Sequence, residues 1–363
     1  METTIFKEGG AEIISAAIES AIASGRSEAV ITGNYDIERA IILPSDFTLI
    51  LRDCHLRQKE GTFDNIFTNR KTLFPGENVE GEHGVRILGI GRAILDGGVF
   101  NGLNERNSKE LGIPMRKNSL IFFADVHDFA ITGLQLKNQR YWSVNLVGCS
   151  RGVVRDIDIT ADDSVLYIDG ERDYSVGYRD LCSKHLPMMR NADGIDIRLG
   201  CHDILIENIT GFTEDDTVAL TALPDSSRIF IPEGRSTDLY NITVRNIKSS
   251  SWCAIIRLLN QGGIKLYNVL IDGVTDTSKD SPHMNRGLFG VRIGDRRLYS
   301  TRHSTEDETY NIVVRNVFSR AETVVDMAGS IKNCTVENIY PFDGAKVKIE
   351  NNAELFGNVK IED

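Results

Sequence analysis

The sequence predicts an all-β fold, a right-handed parallel β-helix built as one long solenoid of stacked three-stranded coils. Three observations predict it: a strand-like motif that recurs along the chain, frequent turn residues between short β-branched runs, and a single convincing helix. The 363 residues include 32 glycines but only 8 prolines. Glycine, Asn and Asp between short apolar runs indicate many strands joined by tight turns.

The recurring motif alternates apolar and polar residues and closes on a polar or glycine residue followed by an apolar one. Its full copies are DFAITGL (128–134), RGVVRDI (151–157), DILIENI (203–209), NITVRNI (241–247), NVLIDGV (268–274), NIVVRNV (311–317) and NCTVENI (333–339). The intervals between their starting positions are 23, 52, 38, 27, 43 and 22. A base period near 22 with longer gaps indicates a solenoid with loop insertions. The competing leucine-rich repeat is disfavoured because its LxxLxLxxN spacing is absent.

Residues 9–24 form the one convincing helix, which we expect to cap the open core of the first coil. Insertions are predicted at about 166–188, 223–237 and 276–286. Insertions in a solenoid tend to lie on one face and wall a cleft. No linker or composition break divides the chain, so we expect a single β-helix domain over residues 1–363.

The composition narrows the function classes. A net charge of −11 without a basic stripe argues against nucleic acid. The N-terminus resembles neither a signal peptide nor a membrane span, which predicts a cytoplasmic protein, with a trimmed secreted one left open. The six cysteines lack CxxC spacing and are interpreted as buried small apolar residues of a reducing compartment. No histidine has metal-ligand spacing, so neither metal nor cofactor is expected.

Two carboxylate-rich segments stand one coil apart. The interval from Asp193 to Asp215 is 22, which equals the repeat period and predicts that Asp193, Asp215 and Asp216 form one patch. Each segment alone could be a turn, since Asp favours turns. Crowded carboxylates repel one another and raise a pKa, and a protonated and an ionised carboxyl together are what glycoside hydrolysis requires.

These segments resemble the polygalacturonases and related pectin hydrolases of glycoside hydrolase family 28. That family carries Asn-Thr-Asp, Gly-Asp-Asp, Gly-His-Gly and Arg-Ile-Lys on consecutive coils, and this sequence has Asn191-Ala192-Asp193, Glu214-Asp215-Asp216 and Arg292-Ile293. Residues 87–98 and 116–149 are also similar, and the likeness covers most of residues 10–340. The resemblance implies a pectin-lyase-like β-helix and a carbohydrate substrate.

Carried over by position, the resemblance implies an inverting hydrolase. Asp216 would be the general acid, while Asp193 and Asp215 would hold the attacking water. Asn191 would contact substrate, and Arg292 would bind a substrate carboxylate through two parallel hydrogen bonds.

Two departures from the family pattern concern substrate recognition. The Gly-His-Gly coil reads Ser251-Trp252-Cys253, and Arg-Ile-Lys reads Arg292-Ile293-Gly294, so the histidine and the lysine are missing. We expect Trp252 to offer a sugar-stacking platform and Arg257 to supply a cation, although each could equally be a core residue or a structural ion pair.

The favoured function is hydrolysis of galacturonide-containing or related pectic sugars. One alternative is a polysaccharide lyase on the same fold, with calcium bound by the carboxylates. Another is a non-catalytic carbohydrate-binding β-helix, which the missing histidine and lysine favour. The sugar, the linkage, the endo or exo mode and the oligomeric state stay open.

Overall fold

The computed structural model describes residues 5–59, 61–98, 112, 114–117, 119–138, 142–160, 167–168, 171–172, 193–281, 286–294, 297, 299 and 301–362. Within them the α-helix α1 covers Gly10–Ala23. Short 3-10 turns cover Arg70–Leu73, Met115–Lys117, Ser226–Phe230 and Ser278–Asp280. No helix in these residues is both long enough and apolar enough to cross a bilayer.

Nearly all remaining regular structure consists of parallel strands in two sheets. The first sheet contains β1 (Glu28–Ile37), β3 (Thr48–Gln58), β5 (Arg86–Asp96), β7 (Ala130–Thr132), β8 (Gln135–Lys137), β10 (Ser150–Thr160), β14 (His202–Thr213), β16 (Leu239–Ser251), β18 (Leu266–Asp276), β20 (Thr309–Ser319), β22 (Ser330–Pro341), β24 (Glu354–Phe356) and β25 (Lys360–Ile361). The second sheet contains β2 (Ile41–Leu43), β4 (Phe67–Asn69), β6 (Ser119–Ala124), β9 (Trp142–Val147), β13 (Asp193–Ile197), β15 (Val218–Ala222), β17 (Ala254–Asn260), β19 (Phe289–Gly294), β21 (Thr323–Ala328) and β23 (Lys346–Ile349). A small antiparallel pair joins β11 (Tyr167–Ile168) to β12 (Glu171–Arg172).

Successive strands of each sheet pair with the equivalent strand of the next coil, which confirms the predicted parallel β-helix. The repeated motifs stack in register: Ile204 pairs with Ile242 and Ile242 with Val269. The sequence offsets of these pairs equal the intervals between the corresponding copies of the motif. The sequence repeat is therefore the structural repeat, and unequal loops account for its unequal spacing.

The long strands of the first sheet bend at asparagine or aspartate, so each covers two faces of the solenoid. Asn208, Asn246 and Asn316 lie mid-strand with positive φ of 56°, 53° and 58°. Asparagine tolerates this left-handed conformation better than most residues. On either side of each bend, apolar side chains alternate into the core, as Ile242, Val244 and Ile247 do with at most 1% exposure.

A second column of asparagines links the coils by side-chain hydrogen bonds. Asn268 Nδ2 donates to Asn241 Oδ1 at 3.1 Å, and Asn311 Nδ2 donates to Asn268 Oδ1 at 3.0 Å. These residues have positive φ too. Repeated asparagine thus provides both the left-handed backbone conformation and the links between neighbouring coils.

The predicted capping helix is present as α1, one residue shorter at each end than the predicted range of 9–24. It buries Ala11, Ile14, Ile18 and Ala21 against the first coil. Of the six cysteines, Cys182 lies outside the described residues, and the others are buried with free thiols. The insertion at 223–237 is described throughout, whereas most of 166–188 and residues 282–285 lie outside the described residues.

Candidate active site

A cavity of about 540 Å³ lies on the outer face of the second sheet. Strands β6, β9, β13, β15 and β17 form its floor, and the 223–237 insertion forms one wall through Asp225, Ser226, Ser227 and Phe230. A solenoid insertion thus walls a cleft here, as the sequence predicted. The floor spans five neighbouring coils, which is room for several sugar units.

The floor side chains come from one outward-facing position repeated on successive strands. Asn145 on β9 pairs with Asp196 on β13, and Asp196 pairs with Ala219 on β15. Ala219 pairs with Arg257 on β17. The residues flanking this position point into the apolar core, because side chains alternate along a strand. Polar residues can therefore line the cavity while their neighbours hold the coil together.

All three predicted aspartates line the cavity. The strand register pairs Ile195 with Val218, which is one position more than the repeat period of the motif. Asp193 consequently lies beside Asp216, whereas the repeat period had aligned it with Asp215. The backbone N–H of Asp216 donates to Asp193 Oδ1 at 3.0 Å, which fixes one carboxyl against the backbone of the next coil.

The other Asp193 oxygen is held by a tryptophan from the preceding coil. Trp142 pairs with Asp193 between β9 and β13, and its Nε1 donates to Asp193 Oδ2 at 2.9 Å. Both residues are buried, with 6% and 8% exposure. With both oxygens engaged, the Asp193 carboxyl has one fixed orientation.

Asp215 sits in the turn before β15 and is half-buried at the cavity. Its backbone carbonyl accepts hydrogen bonds from Thr213 Oγ1 at 2.8 Å and Ser251 Oγ at 2.6 Å. These two hydroxyls hold the Thr213–Asp216 turn in place. The local sequence thus places two consecutive carboxyl groups, Asp215 and Asp216, beside Asp193.

Burial and mutual repulsion favour the protonated forms of the carboxyl groups in this cluster. Burial, then the charges of Asp215, Asp196 and Asp216, raise the pKa of Asp193 well above its ordinary value. Burial and the charge of Asp215 raise the pKa of Asp216 to about 7, even though Arg257 and Arg292 pull it downward. Interacting carboxyls share protons as a set, so the cluster carries acid near neutral pH.

Arg257 both lines the cavity and forms an ion pair, so the two interpretations of this residue hold together. It is 7% exposed, and its Nη1 lies 3.5 Å from Asp216 Oδ2. The backbone N–H of Ala254 donates to Asp216 Oδ1 at 3.2 Å. The Asp216 side chain is therefore held at both oxygens, one of them facing a cation.

A second ion-pair network, which the sequence did not reveal, lies beside the aspartates. Arg198 pairs with Asp196 at 3.2 Å and with Asp225 from the insertion. Its guanidinium carbon lies 4.7 Å from the centre of the Trp142 ring. Thr221 Oγ1 also donates to Asp196 Oδ1 at 3.1 Å. Arg198 thus joins the floor, the insertion and the tryptophan that holds Asp193.

Only part of this network could have been found in the sequence. Asp196, Ala219 and Arg257 occupy the same floor position on three successive coils. The repeat motif does not mark this position, so the sequence alone does not identify it. The partnership of Arg198 with Asp225 requires the path of the insertion, which the sequence does not give. Trp142 is buried and bonded to Asp193, a contact that the sequence does not reveal.

Two predicted substrate contacts lie elsewhere, and one lies outside the described residues. Trp252 is only 5% exposed and does not line the cavity, so its buried ring has no free face for a sugar. Arg292 neighbours Arg257 on the next coil, outside the cavity, and lies 3.7 Å from the buried carboxylate of Asp326. Asn191 falls outside the described residues.

The carboxyl oxygens of Asp215 and Asp216 and the sulfur of Cys253 lie within 4.8 Å of one another. These are the atoms a cation would use here. Calcium prefers six to eight oxygen ligands, and a thiol does not suit it. Asp216 is also already paired with Arg257. The donor set therefore fits a calcium site poorly.

The region that contains the three aspartates is similar to a known protein family. Residues 65–231 match the sequence model of glycosyl hydrolases family 28. This stretch is somewhat under half of the chain and contains all three aspartates, and the match confirms the resemblance found in the sequence. It supports a glycosidase, a hydrolase of O-glycosyl bonds. No curated protein sequence is significantly similar to the chain.

Solved structures share the fold at low sequence identity. A hyperthermoactive exopolygalacturonase from Thermotoga maritima is 15% identical with a TM-score of 0.57, over 96% of this chain and 87% of that one. A polygalacturonase from Erwinia carotovora ssp. carotovora is 14% identical with a TM-score of 0.51, over 92% and 87%. PfbA, a surface adhesin of Streptococcus pneumoniae, is 12% identical with a TM-score of 0.52, over 96% and 85%. The right-handed parallel β-helix is thereby confirmed, but a fold shared by hydrolases and an adhesin does not decide function.

Proposed function

We propose that the protein is an inverting glycosidase that cleaves galacturonide-containing or related pectic sugars at the Asp193–Asp215–Asp216 cluster. The observation that carries this proposal is the gathering of Asp193, Asp215 and Asp216 in one cavity, where burial and the charge of Asp215 raise the pKa of Asp216 to about 7. Inverting glycoside hydrolysis requires an acid that keeps its proton near neutral pH. It also requires a nearby carboxylate that can hold and activate water.

In the proposed reaction, Asp216 donates its proton to the glycosidic oxygen as the bond from that oxygen to the anomeric carbon breaks. Asp193 and Asp215 hold a water on the opposite face of the sugar. The Asp215 carboxylate takes a proton from this water as the water oxygen bonds to the anomeric carbon. Burial keeps Asp216 protonated until it reacts, because burial disfavours the charged form of its carboxyl.

The fixed positions of the carboxyl groups support these roles. Asp193 is held by Trp142 and by the Asp216 backbone, and Asp216 by Ala254 and Arg257. Catalytic groups that do not need to reorient lower the cost of reaching the transition state. Arg257 also compensates the negative charge that Asp216 acquires once its proton has left.

A lyase is the less favoured alternative. It would need a cation to acidify the proton next to the sugar carboxylate, and the Asp215–Asp216–Cys253 set suits calcium poorly. A binding protein without turnover is also less favoured. A buried carboxyl cluster lowers stability, and a catalytic role explains its presence better than sugar binding alone.

The experiment that tests the proposal offers a panel of pectic polymers and oligosaccharides to the native protein. Two products are measured, new reducing ends and the ultraviolet absorbance of unsaturated sugars. Reducing ends without absorbance would support the glycosidase, and proton NMR of the first-formed anomer would test inversion. Both signals together would indicate a lyase. Binding without either signal would indicate a carbohydrate-binding protein.

A further inference from the structure

We propose that Arg116 binds the carboxylate of a uronate unit at the far end of the cavity, away from the bond that is cleaved. The inference rests on the proposed function, since it assigns a specificity-determining contact to the same site. Arg116 lies in the 3-10 turn Met115–Lys117 immediately before β6, at the first coil of the cavity floor.

The charges of the cavity single out this residue. Of the residues that the structure describes, three arginines line it, Arg116, Arg198 and Arg257. Arg198 is neutralised by Asp196 and Asp225, and Arg257 faces Asp216. Among the described residues, no carboxylate forms an ion pair with Arg116, so its N–H donors are available to an anionic ligand.

Arg116 is also held in place for such a contact. Its guanidinium carbon lies 5.9 Å from the centre of the Phe230 ring, and Phe122 packs edge-on against the same ring at 5.5 Å. Both rings are buried, with 1% exposure. The Arg116 backbone carbonyl accepts a hydrogen bond from Asn65 Nδ2 at 3.0 Å. A half-buried arginine with a fixed backbone and an aromatic support can form two parallel bonds to a carboxylate.

The position of Arg116 tells which sugar unit it would meet. Strands β6, β9 and β13 are successive neighbours, so Arg116 lies about two strand spacings, roughly 10 Å, from Asp193 along the floor. A carboxylate held there belongs to a unit next to, or beyond, the units that flank the cleaved bond. The cavity would thus select an acidic sugar unit at this end.

The test compares the native protein with Arg116→Gln on a galacturonic acid trisaccharide and on its methyl ester. The matched control is Arg228→Gln, because Arg228 is an exposed arginine of the same wall that does not line the cavity. Loss of a charge-assisted contact should raise KM for the free acid by about ten-fold or more, with kcat little changed. KM for the ester should not change, and the control should behave as the native protein.

Equilibrium binding, measured with the Asp216→Asn variant so that no substrate is consumed, separates this inference from the proposed function. A preference for the free acid over the ester that disappears with Arg116→Gln would support the inference even if the native protein hydrolyses neither sugar. Equal binding of acid and ester, binding of neither, or an equal loss for both ligands with Arg116→Gln would overturn it. Turnover with unchanged preference would leave the proposed function standing and the inference refuted.

Discussion

At the scale of single residues, the protonation of Asp216 depends on two opposing influences. Burial and the neighbouring carboxylate of Asp215 raise its pKa, while Arg257 and, less directly, Arg292 lower it. With a pKa of about 7, this acid can carry a proton near neutral pH. The rate of a reaction that needs the protonated form should then fall as the pH rises through this value.

Replacing Arg257 by Gln should shift the pH at which the rate falls, which is the alkaline limb of the pH profile. Arg257 favours the ionised form of Asp216, so its removal should raise the pKa of Asp216 and shift the alkaline limb of kcat/KM upward by about one pH unit. Arg257→Lys keeps the positive charge and should leave the limb close to that of the native protein. A limb that stays in place in Arg257→Gln would show that a group other than Asp216 donates the proton.

The site residues differ in how far the sequence could predict them. Asp193, Asp215 and Asp216 were found because carboxylates one repeat apart must lie close in a solenoid. The direction of the Trp252 ring could not be derived, because strand alternation is lost in the turn around it. Arg116 gave no signal, because only folding brings residues before β6 next to the insertion wall.

At the scale of elements, the asparagine bends let one strand serve two faces. Each bend requires a positive φ, which asparagine accepts and most other residues resist. The amide side chains then connect one coil to the next, as Asn246 does with Asn208 and Asn338 does with Asn316. In the first sheet, strand positions were predictable from the motif, since alternation and register follow from it. Between β13 and β15 the register differs by one position from the motif period. The insertion at 223–237 was predictable in place but not in path.

Replacing Asn268 by Ala should destabilise the solenoid by about 2 kcal/mol, from left-handed strain and two lost hydrogen bonds. Asn268→Gly loses the same hydrogen bonds without the strain and should cost less. Urea unfolding of both variants measures the difference. A glycine variant as unstable as the alanine variant would contradict the role given to the backbone conformation at this position.

The insertion at 223–237 is tied to the solenoid at a second point. Arg235 forms an ion pair with the fully buried Asp125. The Nε2 atom of His127 also lies 3.0 Å from Asp125 Oδ1. The backbone N–H of Gly76 donates to the carbonyl of Ile229 at 3.0 Å. These anchors explain how a loop without strands can present Asp225 and Phe230 to the cavity in a fixed way.

At the scale of the whole molecule, stacked coils convert sequence distance into spatial order. The stretch that matches family 28, residues 65–231, holds the aspartates and ends before Arg257 and Arg292. The coils beyond it are those in which the family's histidine and lysine are replaced. The proposed chemistry thus lies in the coils that resemble the family, and the divergence lies on the side of the cavity near Arg257. This arrangement is what a hydrolase with altered substrate recognition would show.

The most direct test of this account is the rate of reducing-end release from pectic oligosaccharides by the native protein and by Asp216→Asn. A matched control is Asp128→Asn, an exposed aspartate in the turn before β7 that pairs with Arg151. We expect Asp216→Asn to lose about 10²- to 10⁴-fold in kcat, with an unchanged circular dichroism spectrum, and Asp128→Asn to keep native activity. A folded Asp216→Asn variant that releases reducing ends at the native rate would contradict the central claim that this buried carboxyl supplies the proton.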